Sequence, residues 1–388
     1  LFATIRTFGS DALSGGSQVS LLTTTAICIL IGMVFYKIPW KDYELAITNN
    51  IAGVATAIII LLIIGALSGI WMISGVVPTL IYYGMQIIHP SFFLASTCII
   101  CALISVMTGS SWTTIATIGI ALMGIGKAQG FEDGWIAGAI ISGAYFGDKI
   151  SPLSETTILA SSITDTPLFR HIRYMMITTV PSLIITLIIF TVAGLSHDAS
   201  NTQHIAEVAT ALNEKFHITP WLLIVPVATG ILIARKVPSI VTLFLSTLLA
   251  GVFALIFQPE LLQEISGVAV SGFDSLFKGL MMTVYGATNL HTDNAVLTDL
   301  IATRGMAGMM NTIWLILCAM CFGGAMTASG MLGSITSIFV RFMKKTVSVV
   351  GATVCSGLFL NLTTADQYIS IILTGNMSVS YTHLTLPT

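Results

Sequence analysis

Charge is what this sequence has least of. Its 388 residues include 15 Lys or Arg and 17 Asp or Glu, 8% of the chain, where a soluble globular protein carries roughly 25%. So thin a polar coat excludes a water-soluble fold. A net charge of −2 leaves no basic footprint for nucleic acid, and no such partner is expected. Catalytic signatures are missing too: there is no His-Glu-x-x-His, no Gly-x-Ser-x-Gly elbow and no Walker-type phosphate loop. Gly124-x-Gly126 is too short to mark a nucleotide site. The expectation is therefore not an enzyme, and no cofactor. Cysteines number six. Cys98/Cys101 and Cys318/Cys321 have the spacing of zinc pairs, but both pairs lie inside apolar runs. There, positions three apart share a helix face and small thiols suit close packing, so packing is the preferred reading.

What fills the chain is apolar sequence: 55% of residues are hydrophobic and the mean hydropathy is +0.94. Several runs reach the ~20 residues that cross a bilayer. An all-α polytopic membrane protein follows, with the lipid bilayer as its first partner. The runs at 51–88 and 91–126 are too long for single crossings. Gly75 and Pro78 divide the first near Ser74, and Thr108-Gly-Ser-Ser111-Trp-Thr-Thr114 interrupts the second. Residues 197–218 form the longest polar stretch. The organisation expected is a first transmembrane repeat over 1–196, a polar external loop at 197–218, and linker helices with an incomplete second repeat over 219–388. Basic groups at Lys37/Lys41, Lys127, Arg170/Arg173 and Arg235/Lys236 favour the cytoplasmic side. The sequence leaves the oligomeric state open, a homo-oligomer included.

Sliding the chain on itself by 255 positions supports the two repeats. Gly53 then meets Gly308, Gly69 meets Gly324, Ser74-Gly75 meets Ser329-Gly330, Thr79 meets Ser334 and Thr108 meets Thr363. The matches are glycines and hydroxyls at helix breaks. Paired interrupted segments in two halves mark the binding site of an inverted-repeat transporter. The same shift carries Asp148 beyond the last residue. The pattern also collapses after Met377, and the opening Leu1-Phe-Ala-Thr-Ile-Arg6 has neither Met nor a signal-peptide pattern. A chain truncated at both ends is expected, with residues 378–388 foreign to it.

One stretch concentrates the polar chemistry: Ser142-Gly-Ala-Tyr-Phe-Gly-Asp148-Lys149-Ile-Ser151-Pro152-Leu-Ser154-Glu155-Thr156-Thr157. Pro152 opposes a continuing helix and pushes Ser151 towards an extended conformation. A helix stopping near Gly147, a short turn and a new helix from Pro152 are predicted. Glu155 would cap that helix, with Ser151 at its N-cap. Ionisable groups at membrane depth are costly, and so are usually paired or functional. The candidates for an ion path are Asp148, Ser151, Ser154, Glu155, Thr156 and Thr157 here; Thr108, Ser110 and Ser111 at the earlier interruption; and Asn361, Thr363, Thr364, Asp366 and Gln367 at the later one. Such oxygen-rich sites suit a hard cation. Na+ bound by Asp366 with Glu155 or Asp148, in competition with H+, is the expected chemistry.

The segment Ser142–Thr157 resembles the signature of the NhaC family of Na+/H+ antiporters. Supporting matches are Thr108-Gly-Ser-Ser-Trp-Thr-Thr114, Phe322-Gly-Gly, Gly330-Met-Leu and Thr364-Ala-Asp-Gln-Tyr368. The resemblance implies a multi-pass secondary transporter of the bacterial inner membrane, with two inverted repeats, that exchanges Na+ for H+. It also implies that Asp148, Ser151, Ser154, Glu155, Thr156, Thr157 and Asp366 lie near the ion path. Glu155 stands where many members of that family carry Asp. The resemblance covers exchangers of small organic acids such as malate and lactate as well, and that substrate class is the alternative.

Overall fold

The computed structural model describes residues 6, 15–196, 202–235, 237–268, 270, 272–288, 290, 298, 301–331, 333–334, 346–364, 367, 370–371 and 374–375. Among these every regular element is helical. In chain order they are α1 (Gly16–Phe35), α2 (Trp40–Ile73), α3 (Val76–Ile87), α4 (Phe93–Thr108), α5 (Ser111–Thr114), α6 (Ile120–Ala128), α7 (Asp133–Ile150) and α8 (Glu155–Ile163). There follow α9 (Leu168–Ser196), α10 (Thr202–Lys215), α11 (Ile224–Ala234), α12 (Ser239–Phe257), α13 (Pro259–Ser266), α14 (Phe273–Tyr285), α15 (Met310–Ala328) and α16 (Thr346–Thr364). Six of the described helices are long and apolar enough to span a bilayer, or seven if the pair Ala209–Lys215 and Pro220–Ala234, bent by 94°, counts as one. In hydrocarbon no water satisfies the backbone, so helices that bond within themselves are the expected solution. The protein is a multi-pass, all-α membrane protein.

The chain divides into two compact units, each discontinuous in sequence: Leu1–Ile58 with Ile158–Leu168 and Met310–Thr388, and Ile59–Thr157 with Phe169–Met309. In the first, Tyr43 is fully buried over Gly32 of α1, and Ile47 lies against Gly324 of α15. In the second, a core of Leu67, Ile70, Trp71, Ile73, Phe93 and Ile136 joins α2, α4 and α7. Polar side chains also pair across helices within it. Trp71 Nε1 donates to Ser246 Oγ at 3.1 Å, and Ser246 shares a 2.7 Å hydrogen bond with Thr229. Such bonds hold helices together where apolar burial gives no drive between them.

The break near Ser74 is found where the sequence placed it. α2 ends at Ile73, and Gly75 has φ +84°, the left-handed conformation that glycine adopts without strain. The partner break, 255 positions on, repeats its backbone hydrogen bonds. Ser74 and Ser329 amides donate to Ile70 and Ala325, Gly75 and Gly330 amides to Met72 and Thr327, and Thr79 and Ser334 amides to Gly75 and Gly330. Both serine hydroxyls bond three residues back, to Trp71 and Met326, and Gly330 has φ +70°. The punctuation that aligned in sequence therefore makes the same local structure twice.

The polar stretch 197–218, expected as a loop, contains α10. Leu212 and Phe216 are buried, so its apolar face packs instead of facing water. The bend after it is clamped by Gln258: the His217 amide donates to Oε1 at 3.2 Å, and Nε2 donates to the His217 carbonyl at 3.2 Å. Lys215 adds an ion pair with Glu264 at 2.9 Å. The run at 330–342 and the last eleven residues lie largely outside the described ones.

Candidate ion-binding site

Two helix breaks meet in the second unit. α4 ends at Thr108, Gly109 turns left-handed at φ +67°, and Ser110 restarts the chain as the N-cap of α5. Its hydroxyl accepts from the Thr113 amide at 3.2 Å, the usual N3 bond of a serine cap. The second break follows α7. The prediction placed the helix end near Gly147 and the restart at Pro152; α7 instead runs to Ile150 and α8 begins at Glu155. The reason is local. Proline disfavours the helical region only for the residue before it, and Ser151 is accordingly extended (φ −76°, ψ 130°). The N-cap is then Ser154, not Ser151, since Ser154 Oγ accepts from the Thr157 amide at 3.4 Å.

α4 and α7 are pressed backbone to backbone. A Cβ on Gly143 would collide with the Cys98 carbonyl, and one on Gly147 with the Ala102 carbonyl and the Val106 amide. This is small-xxx-small packing. The Cys98/Cys101 pair belongs to it: both are buried on the α4 face that receives Gly143. Ser105 Oγ donates to the Ala144 carbonyl and Ser151 Oγ to the Val106 carbonyl at 2.8 Å. Above them a Cβ on Gly109 would lie 2.6 Å from the Leu153 carbonyl carbon. Gly109→Ala is therefore expected to destabilise the protein by about 1–3 kcal/mol, from left-handed strain and the lost clearance together. A thermal unfolding midpoint measured in detergent checks it.

Into this junction comes Asp148, half-buried at the end of α7. Ser111 Oγ, on the first turn of α5, donates to its Oδ2 at 2.9 Å. Across the other break, Thr157 Oγ1 donates to the Lys149 carbonyl at 3.0 Å, with the Asp148 carbonyl 3.5 Å away. Ser154 Oγ and Thr156 Oγ1 are 3.0 Å apart. Thr108 Oγ1 accepts from the Ser110 amide at 3.1 Å and lies 3.4 Å from Thr114 Oγ1. Ser111, Ser151, Ser154 and Thr157 are buried. The structure thus gathers Thr108, Ser110, Ser111, Asp148, Ser151, Ser154, Thr156 and Thr157 around two facing breaks. Hydroxyls that donate to carbonyls or a carboxylate keep lone pairs free, and such oxygens suit a hard monovalent cation. Lys149 is exposed.

Of the remaining candidates, Glu155 is the first residue of α8, and Asn361, Thr363 and Thr364 end α16 in the other unit, Asn361 exposed and Gln367 half-buried. Asp366 lies outside the described residues. The sequence reading missed Ser105 and Gly109 as parts of the junction. Gly109 carried a signal, a glycine inside the polar island; Ser105 carried none beyond its place one turn before Thr108.

A family model described as the Na+/H+ antiporter family matches residues 143–383, starting within the glycine face of α7 and taking in the second break. The chain belongs to the Na+/H+ antiporter family. It is 35% identical over 356 residues to the Na+/H+ antiporter NhaC of Bacillus subtilis, covering 91% of this chain and 76% of that protein. It is 36% identical over 372 residues to the malate-2H+/Na+-lactate antiporter of the same organism, covering 95% and 76%. The arginine/ornithine antiporter ArcD of Halobacterium salinarum is 31% identical over 367 residues, covering 92% and 72%. The names of these relatives span inorganic and organic cargo.

Proposed function

We propose that this transporter exchanges Na+ for H+ across the bacterial inner membrane by alternating access, with Asp148 as the carboxylate for which the two cations compete. The observation that carries the reading is the Ser111–Asp148 hydrogen bond of 2.9 Å, which ties one helix break to the other at a half-buried acidic side chain. In a chain this apolar, an ionisable group drawn into a helix junction is costly unless it is paired or functional. Ser111, Ser154, Thr156 and Thr157 supply neutral oxygens beside it. Glu155 and Asp366 complete the proposed ion path, with Thr108, Ser110, Ser151, Asn361, Thr363, Thr364 and Gln367 along it. Two inverted repeats would give the protein its two access states; the matching backbone hydrogen bonds at the Gly75 and Gly330 breaks support an internal repeat.

A second reading, Na+- or H+-coupled exchange of small organic acids, is favoured by the 36% identity to the malate/lactate relative. In it, the helix starts at Ser110 and Ser154 would hold the acid's carboxylate. Reconstitution in liposomes with a trapped pH dye separates the two. Proton movement on addition of Na+ alone is the expected result. Movement only when malate or lactate accompanies Na+ would shift the assignment to the second reading, and silence to both would refute each.

A further inference from the structure

Between α5 and α6 the helix passes through one π-helical turn, Ile115–Gly119. Such turns are rare and recur at functional sites. This one lies one turn of helix from Ser111. A π turn holds one residue more than an α turn, so restoring α register would rotate everything before it by about 100°. α5 is the piece before it. α4 and α7 cannot take up such a rotation, because the glycine face of α7 touches the α4 backbone and Ser105, Ser151 and Gly109 fix the pair. The soft part of the junction is therefore α5, held at Asp148 by the side chain of Ser111.

Thr117 is the one hydroxyl within the turn. It is buried, and its Oγ1 donates to the Thr113 carbonyl at 2.7 Å, with the Thr114 carbonyl 3.5 Å away. In α register the Thr113 carbonyl would be the acceptor for the amide of residue 117. A hydroxyl that occupies it offers the wider turn an alternative donor, the competition by which Thr side chains bend helices. The inner face of the turn is also pressed on α7, since a Cβ on Gly119 would lie 3.1 Å from Ile140 Cγ2. We infer that Thr117 is a positioning residue for cation binding, its hydroxyl holding the π-helical turn in the register that sets Ser111 on Asp148. The inference rests on the assignment of Asp148 as the ion carboxylate. It adds a residue that touches neither the ion nor Asp148.

The test is equilibrium binding of radiolabelled Na+ to the purified protein and to Thr117→Val, Thr117→Ser, Ser111→Ala and the Ser111→Ala/Thr117→Val double variant. Thermal unfolding is run alongside to show that each is folded. Thr117→Val is expected to weaken Na+ binding about 3- to 10-fold, the worth of one hydrogen bond. Thr117→Ser, which keeps the hydroxyl, should bind as the wild type does, and Thr117→Val should add nothing once Ser111 is Ala. Should Thr117→Val prove unstable, the comparison of Thr117→Ser with Thr117→Ala carries the same contrast. Wild-type affinity in the variant without the hydroxyl, or a full additional loss in the Ser111→Ala background, would overturn the positioning role while leaving the Asp148 site intact. If instead Ser111→Ala itself leaves Na+ binding unchanged, the site assignment beneath the inference fails.

Discussion

Replacing Asp148 by Asn is expected to bring Na+-driven proton exchange down to the level of empty liposomes, with the protein still folded. The substitution keeps shape and the Ser111 contact but removes both the negative charge and the proton-binding group. A hydrogen bond or ligand contact to a charged partner is worth about 3 kcal/mol at the upper end, roughly a hundredfold in affinity. Without a titrating group at the site, Na+ and H+ also have nothing left to compete for. Asp148→Glu lengthens the reach by one methylene and should retain measurable exchange with weakened Na+ dependence. Ser111→Ala, which leaves the carboxylate in place, should fall between wild type and Asn. Folding is checked by size-exclusion profile and unfolding midpoint. Exchange that survives Asp148→Asn would remove this residue from the ion path.

The second large effect is structural. Gly147→Leu is expected to prevent stable folding, seen as aggregation on extraction. The added Cβ alone would lie 2.5 Å from Ser105 Cβ and 2.7 Å from the Val106 amide nitrogen. Overpacking a core costs typically about 1–3 kcal/mol when side chains can yield. Here the neighbours include backbone atoms of a helix fixed by Ser105 and Ser151, so the cost should exceed that range. Gly147→Ala should be intermediate. The control is Gly230→Ala in α11, where nothing lies within 4 Å of the added carbon; helix propensity then favours alanine by about 1 kcal/mol.

Much of this was legible in the residue order, and the reason differs from place to place. Breaks at Gly75, at Thr108–Ser111 and at Pro152 stood out because glycine, proline and hydroxyls punctuate runs that are otherwise apolar. The 255-residue offset was visible for the same cause, and the hydrogen bonds at Gly75 and Gly330 give it a physical form. The limits of the second break were misplaced by three residues at each side. The prediction let Pro152 act on the turn before it, whereas α7 persists until Ser151 is forced out of helical geometry. Residues 197–218 read as a loop because their charge was counted over the whole stretch. The helical spacing of Ala209, Leu212 and Phe216 is what packs α10. The approach of Gly109 to Leu153, and the bond from Ser105 to the Ala144 carbonyl, join segments some forty residues apart, and nothing local encodes that pairing. Nor does any residue type announce a π turn; Ile115-Ala-Thr-Ile-Gly119 reads as ordinary helix.

The central claim, one carboxylate at the meeting of two helix breaks shared by Na+ and H+, is tested most directly by proton release. Purified protein in weakly buffered detergent solution is given Na+, and the pH of the medium is followed with a dye. The account predicts that wild type releases protons on Na+ binding, saturably and with a midpoint that moves to higher Na+ as the medium is made more acid, and that Asp148→Asn releases none. Release undiminished in Asp148→Asn would contradict it and place the competing carboxylate elsewhere in the chain.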